Sequence, residues 1–373
     1  MSRRIALVVS ASLFGAALAV LSESGRAAEG PRTFVYVHAV GSQSLLYGFE
    51  LGSDGSLTAL PGSPTVSPDS PGDCTGACNA LAWSPLRDVL LSVGSAGVTT
   101  WEITGGGGLV ESSGSPFRFD VSEPGTGVAT VTLGDRAFAY ATQYFGGSMD
   151  GWEIAADGSL VRVSGLPLTG RPGSSVVDGG GSRVVFCDEE KHRIAAFTAA
   201  ADGTLTEVPR SPRKVPGKGG IYWSRISPDG AHAFIGEWRR GRTIYSFSFT
   251  SKSGALRTGP RTKLKIREAD GGMSIASNGL VAVFADAGEN DVQIFSLKPT
   301  GKLKRLGKPQ DTGLGHVTSH GFSPDGLHLV TASASDGLVR SFSVDPVTGT
   351  LTAVATENIA TAESANGMVV IPR

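Results

Sequence analysis

The chain has 373 residues, 33 Lys and Arg against 34 Asp and Glu, 52 glycines and three cysteines. A net charge of −1 weighs against an extended basic surface for nucleic acid, and three cysteines are too few for a disulfide-built framework. Beyond the first 21 residues no apolar run is long enough to cross a bilayer as a helix, which excludes a multi-span helical membrane protein.

The first residues have the layout of an export signal: Arg3 and Arg4, then an apolar run from Ile5 to Leu21. Ala17-Leu18-Ala19 and Gly25-Arg26-Ala27 both offer cleavage sites, so residues 1–28 are expected to be a signal peptide and 29–373 the folded domain. An uncleaved anchor is the alternative, because the run is near the lower limit for a span. Export implies a periplasmic or extracellular protein, with no membrane contact beyond this segment.

From Thr33 onward one pattern recurs. An aromatic residue stands at Phe49, Trp101, Trp152, Phe197, Phe247, Phe295 and Phe342, at intervals of 45 to 52 residues. Six or seven positions later comes a glycine: Gly55, Gly107, Gly158, Gly203, Gly254, Gly301 and Gly349. Two further on stands Leu57, Leu109, Leu160, Leu205, Leu256, Leu303 or Leu351. The alternation before each glycine is strand-like, the glycine turns the chain, and the leucine opens another strand. Upstream lie two more strand candidates, such as Thr318 to Ser323 and Leu327 to Ala332, joined by Ser323-Pro324-Asp325-Gly326. Each unit is thus four short antiparallel strands, here called A to D, too small to bury its own faces. Thr33 to Ala39 reads as a second strand without a first, and Asn366 to Pro372 as a first without its sequel. The predicted fold is all-β: a seven-bladed propeller with one blade closed by both termini, and a monomer.

Cys74 and Cys78 sit in a Pro/Gly-rich loop within the Ser63 to Asn79 insertion and could pair as a disulfide, while Cys187 at a strand end reads as a buried thiol. In this topology the B–C and D–A loops share one face, the expected site of binding residues, among them His38 and His316. From Arg210 to Arg267 there are 14 Lys and Arg against Asp229 and Glu237, a net of +12 that leaves −13 elsewhere. Such a basic sector attracts an anion: a sugar acid, a phosphate ester or an acidic polysaccharide. Lys218, Arg239 and Arg240 on its loops are candidate ligand residues. Lys263, Lys265 and Arg267 alternate on an outer strand, where charge protects an edge. Glu237 ends a strand inside this sector and is the best carboxylate for general acid–base work, with Arg225 nearby; an ion pair with those arginines is its alternative role. His316 and His320 are about 13 Å apart if extended, too far to share a metal, so both are kept as substrate-binding candidates. Asp286, Glu289, Asn290 and Asp291 lack the spacing of a calcium loop. No metal or cofactor is expected, and no nucleophile elbow or phosphate-binding glycine motif occurs.

Unit seven reads SPDGLHLVTASASDGLVRSFSVDPVTGTLTAV, and the stretches GSLTALPGSP, GGLVESSGSPF and GTLTEVPRSP follow the aromatic strand in units one, two and four. These phrases, with the opening VYVHAVGSQSLLYGFELGSDGSLT, resemble the lactonase-like seven-bladed propellers, the family of bacterial 6-phosphogluconolactonase and fungal carboxymuconate lactonising enzyme. The resemblance spans all seven units. It implies an arginine–histidine pair opening an inner strand in a middle blade, and a glutamate ending the next strand. In YWSRISPDGAHAFIGE, Glu237 falls within one position of that glutamate; Tyr222-Trp223 stands where the pair would be, and Arg225 three residues on. Three functions follow as expectations: an exported lactonase-like hydrolase of an anionic sugar lactone, a non-catalytic propeller binding an acidic polysaccharide or a protein, or a muconate-type cycloisomerase.

Overall fold

The structure is a computed structural model that describes residues 31–68, 80–119, 125–143, 148–167, 172–178, 182–217, 219–238, 242–266, 271–285, 290–333, 335–360 and 364–373. Strands of these residues form seven sheets, each with a four-strand antiparallel path. In six of them the path follows chain order; in blade one it runs from Leu57–Ala59 through Ser44–Leu51 and Thr33–Val40 to the C-terminal Ser364–Pro372. The C-terminal strand therefore supplies the inner strand that the N-terminal strands lack, as the sequence predicts. Arg32 and Arg373 lock the two ends by reciprocal backbone hydrogen bonds of 2.9 and 2.7 Å.

The repeated residues have the positions that their spacing requires. All seven aromatics are buried in the C strands. All seven leucines open the D strands. The turn glycine between them has positive φ in every blade, from +64° to +86°, a region that an L side chain enters only with strain. The motif Ser-Pro after the D strand in blades one, two and four is also structural. The D strands there are cut to three residues, and Ser63, Ser115 and Ser211 each accept a backbone N–H of the C strand, from Gly48, Thr100 and Ala196. The peptide bonds Ser63-Pro64, Ser115-Pro116 and Ser211-Pro212 are cis.

Among the described residues no blade has a core of its own. Each of the seven hydrophobic clusters draws on two adjacent blades; one joins Val35, Phe49 and Leu51 of blade one to Val330 and Val339 of blade seven. The turn glycines take part in this contact. A Cβ on Gly203 of blade four would lie 2.6 Å from the ring of Phe138 in blade three, and the Gly203 carbonyl accepts the Tyr140 hydroxyl at 2.7 Å. Gly254 has φ +64° but open space around it. Both Gly203→Ala and Gly254→Ala should therefore lose about 1 kcal/mol to backbone strain. Only Gly203→Ala should lose roughly 1–3 kcal/mol more to overpacking against Phe138. Thermal melting of the two variants checks this, and equal losses would show that the glycine does not seat the blades.

Candidate functional site

The inner strands converge on a channel, and at one end they enclose a cavity of about 620 Å³. Its described lining includes Trp83 of blade two, Thr130 of blade three, Arg225 of blade five, Ser274 of blade six, His320 of blade seven and Met368 of blade one. Pro85, Pro228 and Ser277 at its mouth belong to A–B turns. The cavity thus opens on the turn face, opposite to the B–C and D–A loops on which the sequence centred the site. The local cause is the register of the turns. The Gly230 N–H donates to the Ser227 carbonyl and the Gly279 N–H to the Ala276 carbonyl, so the two turns are equivalent. Arg225 and Ser274 each stand two residues before their turn and come to the same level.

Arg225 is half-buried, and its guanidinium reaches into the neighbouring blade. Nε donates to the Met273 carbonyl at 2.9 Å and Nη1 to its neighbour's carbonyl, that of Ser224, at 3.1 Å. Burial lowers its pKa to about 10, so it stays charged at neutral pH while its desolvated cation gains from any anion that enters. No Asp or Glu lines the cavity among the described residues.

His320 lies against the face of Phe284, with ring centroids 4.0 Å apart. Its Nε2 is 2.8 Å from the Gly271 carbonyl, which can only accept, so Nε2 carries the proton. Burial first, and then the Arg225 cation, push the imidazole down to about 3, so the ring is neutral at pH 7. Its Nδ1 is then an acceptor, and the Ser274 hydroxyl, 2.5 Å away, donates to it. The same hydroxyl oxygen lies 3.0 Å from the His320 carbonyl, but it has one proton to give. Sequence reading singled out Arg225 and His320 separately and missed Ser274. Aligning the residues two before each A–B turn would have put Arg225 and Ser274 together.

Glu237 lies elsewhere. It pairs with Ile221, four residues before Arg225 on the inner strand Gly220–Ile226, which puts the two backbone positions roughly 13 Å apart along the strand. Its side chain is buried at the loop end of blade five, where Oε1 accepts the Gly219 N–H at 3.1 Å. The Tyr245 hydroxyl also bonds to it; burial and the negative Glu237 beside it raise the pKa of that phenol. A Cβ on Gly217 would fall onto the carboxylate, so the loop before the inner strand is wrapped tightly over it. Glu237 does not line the cavity.

The other sequence candidates scatter. His38 is buried within blade one, 2.5 Å from the Ser44 hydroxyl, and burial lowers it to about 4. His316 is half-buried in the loop before the inner strand of blade seven. Lys218, Arg239, Arg240, Arg267, Cys74, Cys78 and residues 1–30 lie outside the described residues. Cys187 is a buried free thiol, and burial raises its pKa. Part of the basic sector faces away from the channel: Arg257, Arg261, Lys263 and Lys265 of blade five are exposed on or just past its outer strand, as are Lys304 and Lys308, beyond the sector, on that of blade six. None of these six forms an ion pair among the described residues.

His38 and His320 have folded pKa values below the 6.5 of an unfolded histidine, so the unfolded chain takes up protons first as pH falls. Their contribution to stability is therefore full above about pH 6.5 and declines as pH drops toward 4. Urea midpoints between pH 4 and 8 should show this slope, and His38→Gln should flatten it; an unchanged slope would show that His38 is not the group responsible.

A profile of the family described as "Lactonase, 7-bladed beta-propeller" matches residues 59–366. No curated protein matches. Among solved structures, the periplasmic gluconolactonase of Pseudomonas aeruginosa superposes with a TM-score of 0.72 at 17% identity, covering 91% of this chain and 99% of that one. A protein from Lactobacillus plantarum gives 0.71 at 18% identity, with coverage of 91% and 99%. A candidate 6-phosphogluconolactonase from Bacteroides fragilis gives 0.71 at 17%, with coverage of 91% and 98%. At these identities the likeness establishes the fold, and the profile match across most of the ring establishes the lineage: the chain belongs to the seven-bladed β-propeller lactonase family.

Proposed function

We propose that the protein is an exported lactonase-like hydrolase that opens a small anionic sugar lactone or a related cyclic ester within the propeller channel. The cavity around Arg225 carries this reading. Its volume of about 620 Å³ lies in the range of small-molecule sites, and its described lining supplies a half-buried cation, hydroxyls and apolar walls. Such a lining favours a ligand with one negative charge and a compact body. Glu237, which the sequence offers for proton transfer beside Lys218, Arg239 and Arg240, lies outside this cavity at the loop end of blade five, and the reaction in the cavity is assigned no step through it. The periplasmic gluconolactonase of Pseudomonas aeruginosa shares the fold and lends weight to export and to a sugar lactone.

The test is proton release from a panel of sugar lactones. A charge-assisted hydrogen bond contributes about 1.5–3 kcal/mol, so Arg225→Met should lower kcat/KM by roughly 10- to 100-fold on anionic lactones and much less on neutral ones. Glu237→Gln keeps an acceptor for Gly219 and should leave turnover largely unchanged; loss of turnover with the melting temperature held would move the site to the loop end of blade five. Turnover of anionic lactones unaffected by Arg225→Met would remove the cavity as the site.

A second reading is favoured by the unpaired outer cations of blades five and six: a propeller that binds an acidic polysaccharide on its rim. Polygalacturonate binding that weakens steeply with salt, and is lost in Lys263→Glu/Lys304→Glu but not in Arg225→Met, would support it over the hydrolase.

A further inference from the structure

Ser274 has no part in the roles assigned above, yet its surroundings are those of an activated hydroxyl. It is half-buried and lines the cavity, so its oxygen is open to a ligand. Its proton points to His320 Nδ1 at 2.5 Å. The base is fixed in turn, because Nε2–H donates to the Gly271 carbonyl and the ring lies on Phe284. Nucleophile, base and orienting acceptor thus stand in series, the arrangement by which enzymes activate a serine. The Arg225 guanidinium hydrogen-bonds the carbonyl of Met273, the residue just before Ser274, and its Nη2 makes no hydrogen bond among the described residues.

We propose that Ser274 is a nucleophile toward carboxylic esters that carry an anionic group, and that the channel forms an acyl-serine intermediate. The proposal rests on the reading of the cavity as the place where an ester is opened, and it adds a covalent step and its residue. Oγ bonds to the carbonyl carbon while its proton passes to His320 Nδ1. The carbon–oxygen bond to the alcohol then breaks, and the departing alkoxide takes that proton. For a lactone, both fragments stay joined and are held on Ser274 together. Water next adds to the acyl carbon, giving a proton to Nδ1; Oγ leaves and recovers it. One water is consumed, and one carboxylic acid and one alcohol are formed. Arg225 opposes a positive imidazole, so an anion bound to the guanidinium offsets that opposition and strengthens the base when an anionic substrate is in place. The cavity is thereby selective for anionic over neutral esters.

The experiment treats the full chain with a fluorophosphonate, which captures activated serines, and maps the adduct by peptide mass spectrometry. One adduct per chain at Ser274 is expected, absent in Ser274→Ala and at least tenfold slower to form in His320→Gln. Circular dichroism melts confirm that the variants remain folded, and the map of the unsubstituted protein needs no variant at all. No adduct, or an adduct on another residue, would overturn the proposal. The lactone panel separates this outcome from the broader reading. Labelling at Ser274 without turnover of any sugar lactone retains the nucleophile and discards the sugar lactone as substrate. Turnover at the unsubstituted rate in Ser274→Ala retains the lactonase and discards the nucleophile.

Discussion

A sheet of four short strands buries a face only by lending it to a neighbour, and every hydrophobic cluster of this ring is drawn from two adjacent blades. The C-strand aromatics, the glycines of the C–D turns and the tyrosines that reach those glycines all serve this one contact. Tyr36 of blade one bonds to the Gly107 carbonyl of blade two as Tyr140 of blade three bonds to that of Gly203 in blade four, both at 2.7 Å. Closure follows from the same need. Without the C-terminal strand, blade one would lose its inner strand, and the clusters it shares with blades seven and two would lose Ala365 and Ile371. Arg373 completes the seam by an ion pair with Asp88 of blade two.

The channel is built by the same exchange between neighbours, carried out with polar groups. Inner strands present carbonyls to the axis, and those carbonyls need donors. The Thr318 and Ser319 hydroxyls of blade seven donate to the Ala365 carbonyl of blade one, and the Thr130 hydroxyl of blade three to the Trp83 carbonyl of blade two. Arg225 bonding to Met273 and Ser274 bonding to His320 are further cases. Contacts that seat one blade on the next therefore also bring a cation, a hydroxyl and a neutral imidazole to one cavity.

Charge is sorted radially. Arg225 faces the channel, held in a desolvated setting where one anion matters most. The exposed lysines and arginines of the outer strands sit in water, where screening weakens each and only their sum acts at a distance. Among the described residues, the basic stretch between Arg210 and Arg267 thus includes a half-buried guanidinium in the channel and an outer band, which share a segment of chain but not a face.

What the sequence by itself determined is what repeats. Seven copies of aromatic, glycine and leucine state the strand order, the turn and the interblade face, because each is a local demand of backbone geometry or burial. The unpaired strands at Thr33 and Asn366 likewise state how the ring closes. Glu237 and Arg225 were legible as candidates from their place in a basic segment, but the register that sets them roughly 13 Å apart along a strand was not. Nor was Ser274, a small residue in an unremarkable strand that acquires its partner from a residue 46 positions away. Only the tertiary structure decided which inner-strand side chains meet, because a propeller brings together residues one repeat apart, and a chain read along its length shows the repeat but not the closeness that curvature creates.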